Sequence, residues 1–257
     1  MKKFGLIGHP IEHSLSPALF KAGYDGKYPY DLIQTADFEE AYARFLEEYD
    51  GINVTAPFKE LAIKKADILS EECQKIGATN LLIKTPNGIK AHNSDYLGLR
   101  LWIKMVSEEG FFSDHQLPHI LIVGLGGAGK AAAEAARSLG CEVILMNRTQ
   151  HTDEIRPLSE FREAFKAADI IIYNLPVRLP ERDILGKEDF IESKRKHILE
   201  ANYRNPSFDK ELIKKLTEIH PQLEYTSGET WLLMQALTGY EIFTGEKPDL
   251  EKMAARL

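Results

Sequence analysis

The sequence has few cysteines and no long apolar run, and each shortage excludes a class of protein. Only two cysteines, Cys73 and Cys141, occur among its 257 residues. Two isolated thiols fit a reducing cytoplasm better than a disulfide-stabilised secreted protein. No apolar run is long enough to span a membrane, and the apolar segment after Met1 is too short for the core of a signal peptide. We therefore expect a cytoplasmic protein with no membrane partner.

Positive charge is also scarce. The chain has 32 basic and 39 acidic residues, which gives a net charge of −7. Nucleic-acid-binding proteins usually carry a basic patch, so we expect no nucleic-acid partner. The cysteines and histidines form no cluster with metal-ligand spacing, so we expect no metal. What is present is a globular composition, 44% hydrophobic and 28% charged, and a length that suits one or two domains.

A glycine-rich turn within residues 120–130 follows an apolar run and opens an alanine-rich helix. Gly124, Gly126 and Gly129 stand at the G-x-G-x-x-G positions, with Gly127 and Ala128 between the last two. In dinucleotide-binding proteins the first glycine permits a tight turn. The second lets the backbone approach the pyrophosphate, and the third lets helix and strand pack closely. Because this motif has the strand and the helix that it requires, it predicts a dinucleotide site at the helix N-terminus.

The strand after this helix indicates which dinucleotide is bound. An acidic residue about twenty positions past the first glycine usually binds the ribose 2′-hydroxyl of NAD, whereas an arginine there suits the 2′-phosphate of NADP. Here that place holds Asn147, Arg148 and Thr149, so we expect NADP. Asp153 follows in a predicted loop, which leaves NAD open as an alternative.

Strands and helices alternate along the chain, which predicts an α/β protein with a mostly parallel sheet in its first half. We expect early strands at 4–7, 28–34 and 51–55, and a strand at 77–83 that returns through a hairpin at Asn87-Gly88. A polar segment at 107–119 is a predicted linker. The chain should therefore form two domains. The first comprises residues 1–106 and 229–257, and the second, of Rossmann type, comprises residues 107–228.

Several polar side chains lie near predicted strand ends or helix starts, and spacing alone leaves their roles open. Ser16-Pro17 is a typical helix start, with the serine as cap and the proline in the first turn. Ser14 and Ser16 could instead bind a polyhydroxylated ligand. Lys59 follows a strand, where open α/β sheets bind ligands, although such a lysine usually lies on the surface. Asp95 could simply cap the helix that follows it.

Six short motifs, in order along nearly the whole chain, resemble those of the shikimate dehydrogenase family. They are residues 8–17, 53–59, 77–80, 93–95, 147–149 and 228–235. The resemblance implies an N-terminal α/β domain that binds the substrate and a Rossmann-type domain that binds NADP. It also implies reversible NADPH-dependent reduction of 3-dehydroshikimate to shikimate, a step of aromatic amino acid biosynthesis. We expect a monomer or a homodimer.

The resemblance also assigns roles at the matching positions. Lys59 and Asp95 become the expected catalytic pair, in which the lysine exchanges a proton with the substrate and the aspartate orients the lysine. Ser14 and Ser16 match two serines that bind the substrate carboxylate. The residues expected at the substrate hydroxyls are Asn53, Thr55, Asn80, Tyr203 and Gln235. The residues expected to contact the cofactor are Gly124, Gly126, Gly127, Ala128, Gly129, Asn147, Arg148, Thr149 and Gly228.

The chain departs from the family pattern mainly in its second half. Residues 175–178 replace the usual Ala-Thr-Ser. Glu200 replaces an aspartate, and the segment after it has one extra residue before its proline. Trp231 replaces a methionine near the nicotinamide, and residues 150–153 lack the second basic residue that often follows Asn-Arg-Thr. Two alternatives therefore stay open. One is an NAD-dependent enzyme that accepts quinate, and the other is a non-catalytic nucleotide-binding sensor.

Overall fold

The computed structural model describes residues 1–108 and 117–257, which fall into two compact units. The first unit comprises Met1–Gly98 and Leu232–Leu257, and the second comprises Leu99–Trp231. Most of the predicted linker, residues 109–116, lies outside the described residues. None of the helices described in either unit is long and apolar enough to cross a membrane. The assignment of substrate binding to one domain and dinucleotide binding to the other stays a prediction.

The first unit is built on a six-stranded mixed sheet. Its strands are β1 (Phe4–Gly8), β2 (Tyr30–Gln34), β3 (Gly51–Val54), β4 (Ile68–Leu69), β5 (Leu81–Thr85) and β6 (Gly88–His92). Their spatial order is β2-β1-β3-β5-β6-β4. β1 is parallel to β2 and β3, and β4 is parallel to β6. β5 is antiparallel to both β3 and β6, so the predicted hairpin at Asn87-Gly88 forms the antiparallel part of a mostly parallel sheet.

Helices pack on the first sheet through two apolar clusters. The helices are α1 (Ser16–Gly23), α2 (Phe38–Glu48), α3 (Lys59–Ala62), α4 (Glu71–Ile76), α5 (Ser94–Val106), α9 (Gly228–Thr244) and α10 (Leu250–Ala254). One cluster joins Ile7 to Phe45 of α2, and the other joins Phe4 to Phe20 of α1 and Phe243 of α9. Because side chains alternate along a strand, Phe4 and Ile7 of β1 lie on opposite faces, so apolar residues cover both faces of this sheet. α5 and α9 each continue from one unit into the other.

The start of α1 corrects one prediction. Ser16 is the first residue of the helix rather than its cap, because Leu15 already has helical dihedral angles, with φ −79° and ψ −10°. The cap position makes no side-chain hydrogen bond. Instead, the hydroxyl of Ser14 accepts the N–H of Ser16 at 3.2 Å. A serine therefore does satisfy a first-turn N–H, but it is Ser14, two residues before the helix.

Some elements carry too little pattern to be predicted. β4, β9 (Ile155–Arg156) and α10 were not predicted, since a two-residue strand has no periodicity and α10 is only five residues long. The strand predicted at 77–83 begins only at Leu81. Gly77 ends α4 with a positive φ of 71°, and the hydroxyl of Thr79 donates to the carbonyls of Leu81 and His92 at 2.9 and 2.6 Å. These interactions hold the intervening residues in a turn.

The second unit is a parallel six-stranded sheet, as expected for a Rossmann-type domain. With β9, its strands are β7 (His119–Val123), β8 (Glu142–Met146), β10 (Ile170–Tyr173), β11 (Lys196–Glu200) and β12 (Leu223–Ser227). Their order is β12-β11-β10-β7-β8-β9, and every pairing is parallel. The helices wholly within this unit are α6 (Gly127–Ser138), α7 (Phe161–Ala167) and α8 (Lys210–Ile219). The predicted two-domain α/β fold class is confirmed.

Candidate active site

An ion pair in the first unit joins Lys59 to Asp95. Lys59 is the first residue of α3, just after β3, and Asp95 is the second residue of α5. The Lys59 Nζ lies 2.5 Å from an Asp95 carboxylate oxygen, and the two side chains are only 16% and 15% exposed. Attraction between charges is stronger where water is largely excluded, so each side chain fixes the position of the other. Lys59 is therefore not a solvated surface lysine.

The segments that carry this pair are themselves fixed by hydrogen bonds. The N–H of Phe58 donates to the carbonyl of Thr55 at 3.0 Å, and the N–H of Thr79 donates to the carbonyl of Lys59 at 3.2 Å. Asn93 Oδ1 accepts the N–H of Tyr96 at 3.1 Å. Asn93 therefore caps α5, which leaves the Asp95 carboxylate for Lys59.

A chain of amide and hydroxyl groups runs through the same unit. Asn80 Oδ1 accepts the N–H of Ser94 at 2.7 Å, and Asn80 Nδ2 donates to the Ser94 hydroxyl at 3.0 Å. That hydroxyl donates to Gln235 Oε1 of α9 at 2.9 Å. Since Ser94 directly precedes Asp95, this chain ties both amides to the segment that carries the catalytic candidate. Of its two amide N–H groups, Asn80 uses one in these hydrogen bonds.

Asn53 is oriented by a tyrosine that the sequence did not single out. The phenol of Tyr30 donates to Asn53 Oδ1 at 2.8 Å, and Asn53 Nδ2 donates to the carbonyl of Asn80 at 3.3 Å. Burial raises the pKa of Tyr30, so its phenol remains a proton donor at neutral pH. Nothing local in the sequence marks Tyr30, because its partner is on a strand two places away in the sheet. Ser94 had a signal, since it lies between the motif residues Asn93 and Asp95.

The two predicted carboxylate-binding serines lie together at the start of α1. Besides the contact between Ser14 and Ser16, the carbonyl of Ser16 accepts the phenol of Tyr240 at 3.1 Å. Thr55 follows β3, and its N–H donates to the carbonyl of Ile7 at 2.9 Å. The first unit thus contains all the residues predicted for substrate binding and catalysis except Tyr203.

The glycine-rich turn of the second unit has the geometry that its sequence predicts. Gly124 has a φ of +90°, and a Cβ on Gly129 would lie 1.9 Å from the carbonyl oxygen of Gly124. By contrast, apart from Gly126 itself and its two chain neighbours, no described residue has an atom within 4 Å of the place where a Cβ of Gly126 would stand. Gly124 and Gly129 are thus packed against each other, while Gly126 faces open space at the N-terminus of α6. Such a cradle fits a pyrophosphate.

Two asparagines adjoin this turn. Asn147 Oδ1 accepts the N–H of Leu125 at 3.4 Å, and Asn147 Nδ2 donates to the carbonyl of Thr149 at 3.0 Å. Arg148 and Thr149 are exposed. Asn174, at the end of β10, has a buried Oδ1 that accepts no hydrogen bond within the described part of the chain. The residues present therefore fit a dinucleotide, with phosphate donors in the turn and a cation beside it.

The described contacts do not connect Gly228 or Tyr203 to the candidate substrate residues or to the glycine-rich turn. A Cβ on Gly228 would lie 2.3 Å from the carbonyl oxygen of Ala201 and 2.6 Å from that of Glu200. Gly228 therefore allows the start of α9 to pack closely on the end of β11. Tyr203 lies in the loop after β11, where the guanidinium of Arg204 is 6.0 Å from its ring centre. Their predicted contacts with cofactor and substrate stay predictions.

Among the described residues, carboxylates, imidazoles and thiols do not gather into a metal site. No group of three or more such side chains in residues 1–108 and 117–257 is arranged to hold a metal ion.

Models of known protein families match both units of the chain. Residues 6–82 match the shikimate dehydrogenase substrate binding domain, and residues 102–218 match the NAD binding domain of D-isomer specific 2-hydroxyacid dehydrogenases. A shikimate dehydrogenase (NADP(+)) of Pyrococcus abyssi is 25% identical over 98% of this chain and 96% of its own length. The first unit thus matches the substrate binding domain of the shikimate dehydrogenase family, and the whole chain is similar to members of that family.

Two further comparisons agree with this similarity. A crystal structure of shikimate 5-dehydrogenase from Thermus thermophilus, in complex with NADP(H) and shikimate, aligns with a TM-score of 0.77 and 27% identity over 100% of this chain and 98% of that chain. A pentafunctional AROM polypeptide of Scheffersomyces stipitis is 30% identical over 95% of this chain but 17% of its own length. The chain spans 10–17% of the length of the first curated relatives it matches.

The structure accounts for one departure from the pattern of the shikimate dehydrogenase family. Glu200, which replaces an aspartate, is completely buried at the end of β11. Its carboxylate accepts the backbone N–H groups of Ser207 and Phe208 and the phenol of Tyr225. The longer side chain thus reaches across the loop from 201 to 206, which carries one extra residue before its proline. Burial and the nearby Glu200 raise the pKa of Tyr225, so the phenol stays a donor to the carboxylate.

The altered loop at 175–178 is also ordered. The phenol of Tyr173 donates to the carbonyl of Val177 at 2.7 Å and accepts the N–H of Leu179 at 3.2 Å. Leu175 Cδ2 lies 2.9 Å from the place where a Cβ of Gly124 would stand. The leucine therefore packs on the glycine-rich turn and depends on the absence of a side chain there.

Proposed function

We propose that this protein catalyses the reversible NADPH-dependent reduction of 3-dehydroshikimate to shikimate. The observation that carries the proposal is the largely buried Lys59–Asp95 pair, with its 2.5 Å separation, beside the chain of amides that runs from Asn53 to Gln235. The similarity to the shikimate dehydrogenase family supports it, as does the complex of the Thermus thermophilus relative with NADP(H) and shikimate.

In this reaction the side chains of the protein would transfer one proton and stabilise one developing negative charge. NADPH, when bound, supplies the hydride that adds to the ketone carbon of the substrate. The carbonyl oxygen then becomes an alkoxide, which Lys59 would stabilise and protonate through its ammonium group. Asp95 keeps that ammonium in place during the reaction. In the reverse direction the same pair would take the proton from the hydroxyl.

The remaining polar groups of the first unit would hold the substrate. Ser14 and Ser16 provide hydroxyls for the carboxylate, and each side-chain amide of Asn53 and Asn80 has one N–H beyond those used within the unit. Thr55, Tyr203 and Gln235 complete the proposed set. Because Ser94 and Tyr30 fix the orientation of the amides, their N–H groups would be directed at the hydroxyls before the substrate arrives.

The second unit would hold the cofactor. The N-terminus of α6 and the turn at Gly124, Gly126, Gly127, Ala128 and Gly129 suit the pyrophosphate, and Arg148 suits a 2′-phosphate. We accordingly assign residues 1–106 and 229–257 to substrate binding and residues 107–228 to NADP binding. Gly228, Asn147 and Thr149 belong to the proposed cofactor contacts. We also place the protein in the cytoplasm, because both cysteines are free thiols. We propose that it is a monomer or a homodimer.

The test is turnover of purified protein with shikimate, followed by the absorbance of reduced nicotinamide. NADP and NAD are supplied separately, and quinate replaces shikimate in parallel reactions. Turnover with shikimate and NADP that exceeds the other combinations supports the proposal. Faster turnover with quinate and NAD would favour the related polyol enzyme. No turnover in any combination, from folded protein that binds nucleotide, would favour a nucleotide sensor.

Replacing Lys59 tests its proposed role. In Lys59→Met the side chain keeps its length but loses the proton and the charge, so kcat should fall by roughly 10²–10⁴-fold, with a much smaller change in KM. Lys64→Met is the matched control, because Lys64 is an exposed lysine of the next helical turn. Thermal unfolding of both variants checks that they are folded. A folded Lys59→Met enzyme that keeps a tenth of the wild-type kcat would refute the assignment.

A further inference from the structure

The short strand β9 brings a second arginine to the end of β8. Ile155 and Arg156 pair in parallel with Leu145 and Met146, and the N–H of Asn147 donates to the carbonyl of Arg156 at 3.3 Å. Neighbouring strands lie about 4.8 Å apart. Arg156 therefore stands beside the segment that carries Arg148, although a whole turn separates the two arginines in sequence.

Arg148 and Arg156 have no protein counter-charge in the part of the chain that the structure describes. Within residues 1–108 and 117–257, neither guanidinium group forms a hydrogen bond or an ion pair. The nearby acidic residue Glu154 is 3.5 Å from Arg137 of α6 instead. Arg148 is exposed and Arg156 is partly buried. A partly buried guanidinium without a partner costs free energy, and a bound anion removes that cost.

The position of Arg148 and Arg156 in the second unit indicates which anion they bind. Asn147 links their segments to the glycine-rich turn, because its Oδ1 accepts the N–H of Leu125 while its backbone N–H donates to the backbone carbonyl of Arg156. In a Rossmann-type unit this end of the second strand lies at the adenosine ribose, where a 2′-phosphate distinguishes NADP from NAD. Arginine is well suited to it, since its planar donors match the geometry of phosphate oxygens.

We propose that Arg156 binds the 2′-phosphate of NADP together with Arg148 and so sets the preference for NADP over NAD, an inference that rests on the proposed function. Arg156 thereby supplies from β9 the second cation that residues 150–153 lack. Asp153 lies in the turn before β9, and in this proposal it does not bind the ribose 2′-hydroxyl of NAD.

Binding of two nicotinamide-free probes tests this without any turnover. The dissociation constants of 2′,5′-ADP and 5′-ADP are measured by calorimetry for the intact protein and its variants. Arg156→Gln should weaken the binding of 2′,5′-ADP about tenfold, the effect of losing one charge-assisted interaction with phosphate, and should change the binding of 5′-ADP less than about twofold. Arg156→Lys keeps the charge and should recover part of the loss. Arg137→Gln is the control, and it should leave both constants unchanged.

Each outcome decides between the inference and its rivals. Equal weakening of both probes by Arg156→Gln would mean that the arginine supports the fold of the site and does not recognise the 2′-phosphate. Unchanged binding of 2′,5′-ADP would also overturn the inference. Selective loss of 2′,5′-ADP binding in a protein that turns over no polyol would uphold the role of Arg156 while refuting the proposed enzyme activity.

Discussion

Two glycines of the same turn should respond to alanine in opposite ways. A methyl group on Gly129 would lie 1.9 Å from the carbonyl oxygen of Gly124, about 1.5 Å closer than ordinary contact at 3.4 Å. Since both groups are fixed by the backbone, the start of α6 would have to move away from β7. We expect Gly129→Ala to lower the free energy of unfolding by at least about 3 kcal/mol.

Gly126→Ala should leave the stability almost unchanged. Gly126 has φ −69° and ψ −171°, which alanine adopts readily, and the added methyl would meet no described residue beyond its two chain neighbours. Alanine is a poorer N-cap than glycine, which lowers the stability by up to about 1 kcal/mol. It also reduces the conformational entropy of the unfolded chain, which raises the stability by about 0.4–1 kcal/mol. These effects oppose each other, so the net change should stay within about 0.5 kcal/mol.

The two variants therefore separate packing from binding. If the pyrophosphate approaches the backbone at Gly126, the methyl group should weaken NADPH binding tenfold or more, or about 1.4 kcal/mol. Stability is measured by urea unfolding, and binding by the fluorescence of NADPH. A Gly126→Ala protein that binds NADPH as tightly as the wild type would refute the proposed path of the pyrophosphate. A Gly129→Ala protein of wild-type stability would refute the close packing of turn and helix.

Two further predictions concern buried groups of the second unit. Glu200→Gln keeps the shape of the side chain but leaves one acceptor oxygen where the carboxylate has two, so a backbone N–H of Ser207 or Phe208 loses its partner. Urea unfolding should show a loss of about 2–3 kcal/mol, and an unchanged midpoint would contradict these contacts. Burial lowers the pKa of His197 from 6.5 to about 4, so between these values the folded state binds fewer protons than the unfolded state. The free energy of unfolding should therefore fall as the pH drops from 6.5 to 4, by up to about 3 kcal/mol. His197→Asn should flatten that part of the pH curve, and a curve parallel to that of the wild type would show that His197 does not cause it.

The sequence predicted the elements whose requirements are local. The glycine-rich turn, the strand before it and the helix after it were all predicted, because each glycine meets a conformational or packing need within a few residues of itself. The hairpin at Asn87-Gly88 was predicted for the same reason. The predicted cap of α1 was wrong. Ser14 and Ser16 both follow the sequence pattern of a cap, and only the dihedral angles of Leu15 show that Ser16 already lies inside the helix.

The candidate site could be predicted as a set of residues but not as an arrangement. Lys59 and Asp95 taken singly suggested a surface lysine and a helix cap, and only their family motifs indicated a pair. The 2.5 Å contact depends on how α3 follows β3 and how α5 follows β6 in one sheet. Tyr30, which orients Asn53, could not be found, because no spacing along the chain relates a residue of β2 to one of β3 when β1 lies between them.

By itself the sequence determined the fold class, the glycine-rich turn and the residue types of the site. Tertiary structure alone decided that Asn93 rather than Asp95 caps α5, that Glu200 spans a lengthened loop, and that Arg156 stands beside Arg148. The physical reason is the range of the interactions. Backbone conformation and apolar periodicity are set by neighbours within a turn or two, whereas a contact between distant side chains exists only once strand order and register bring them together.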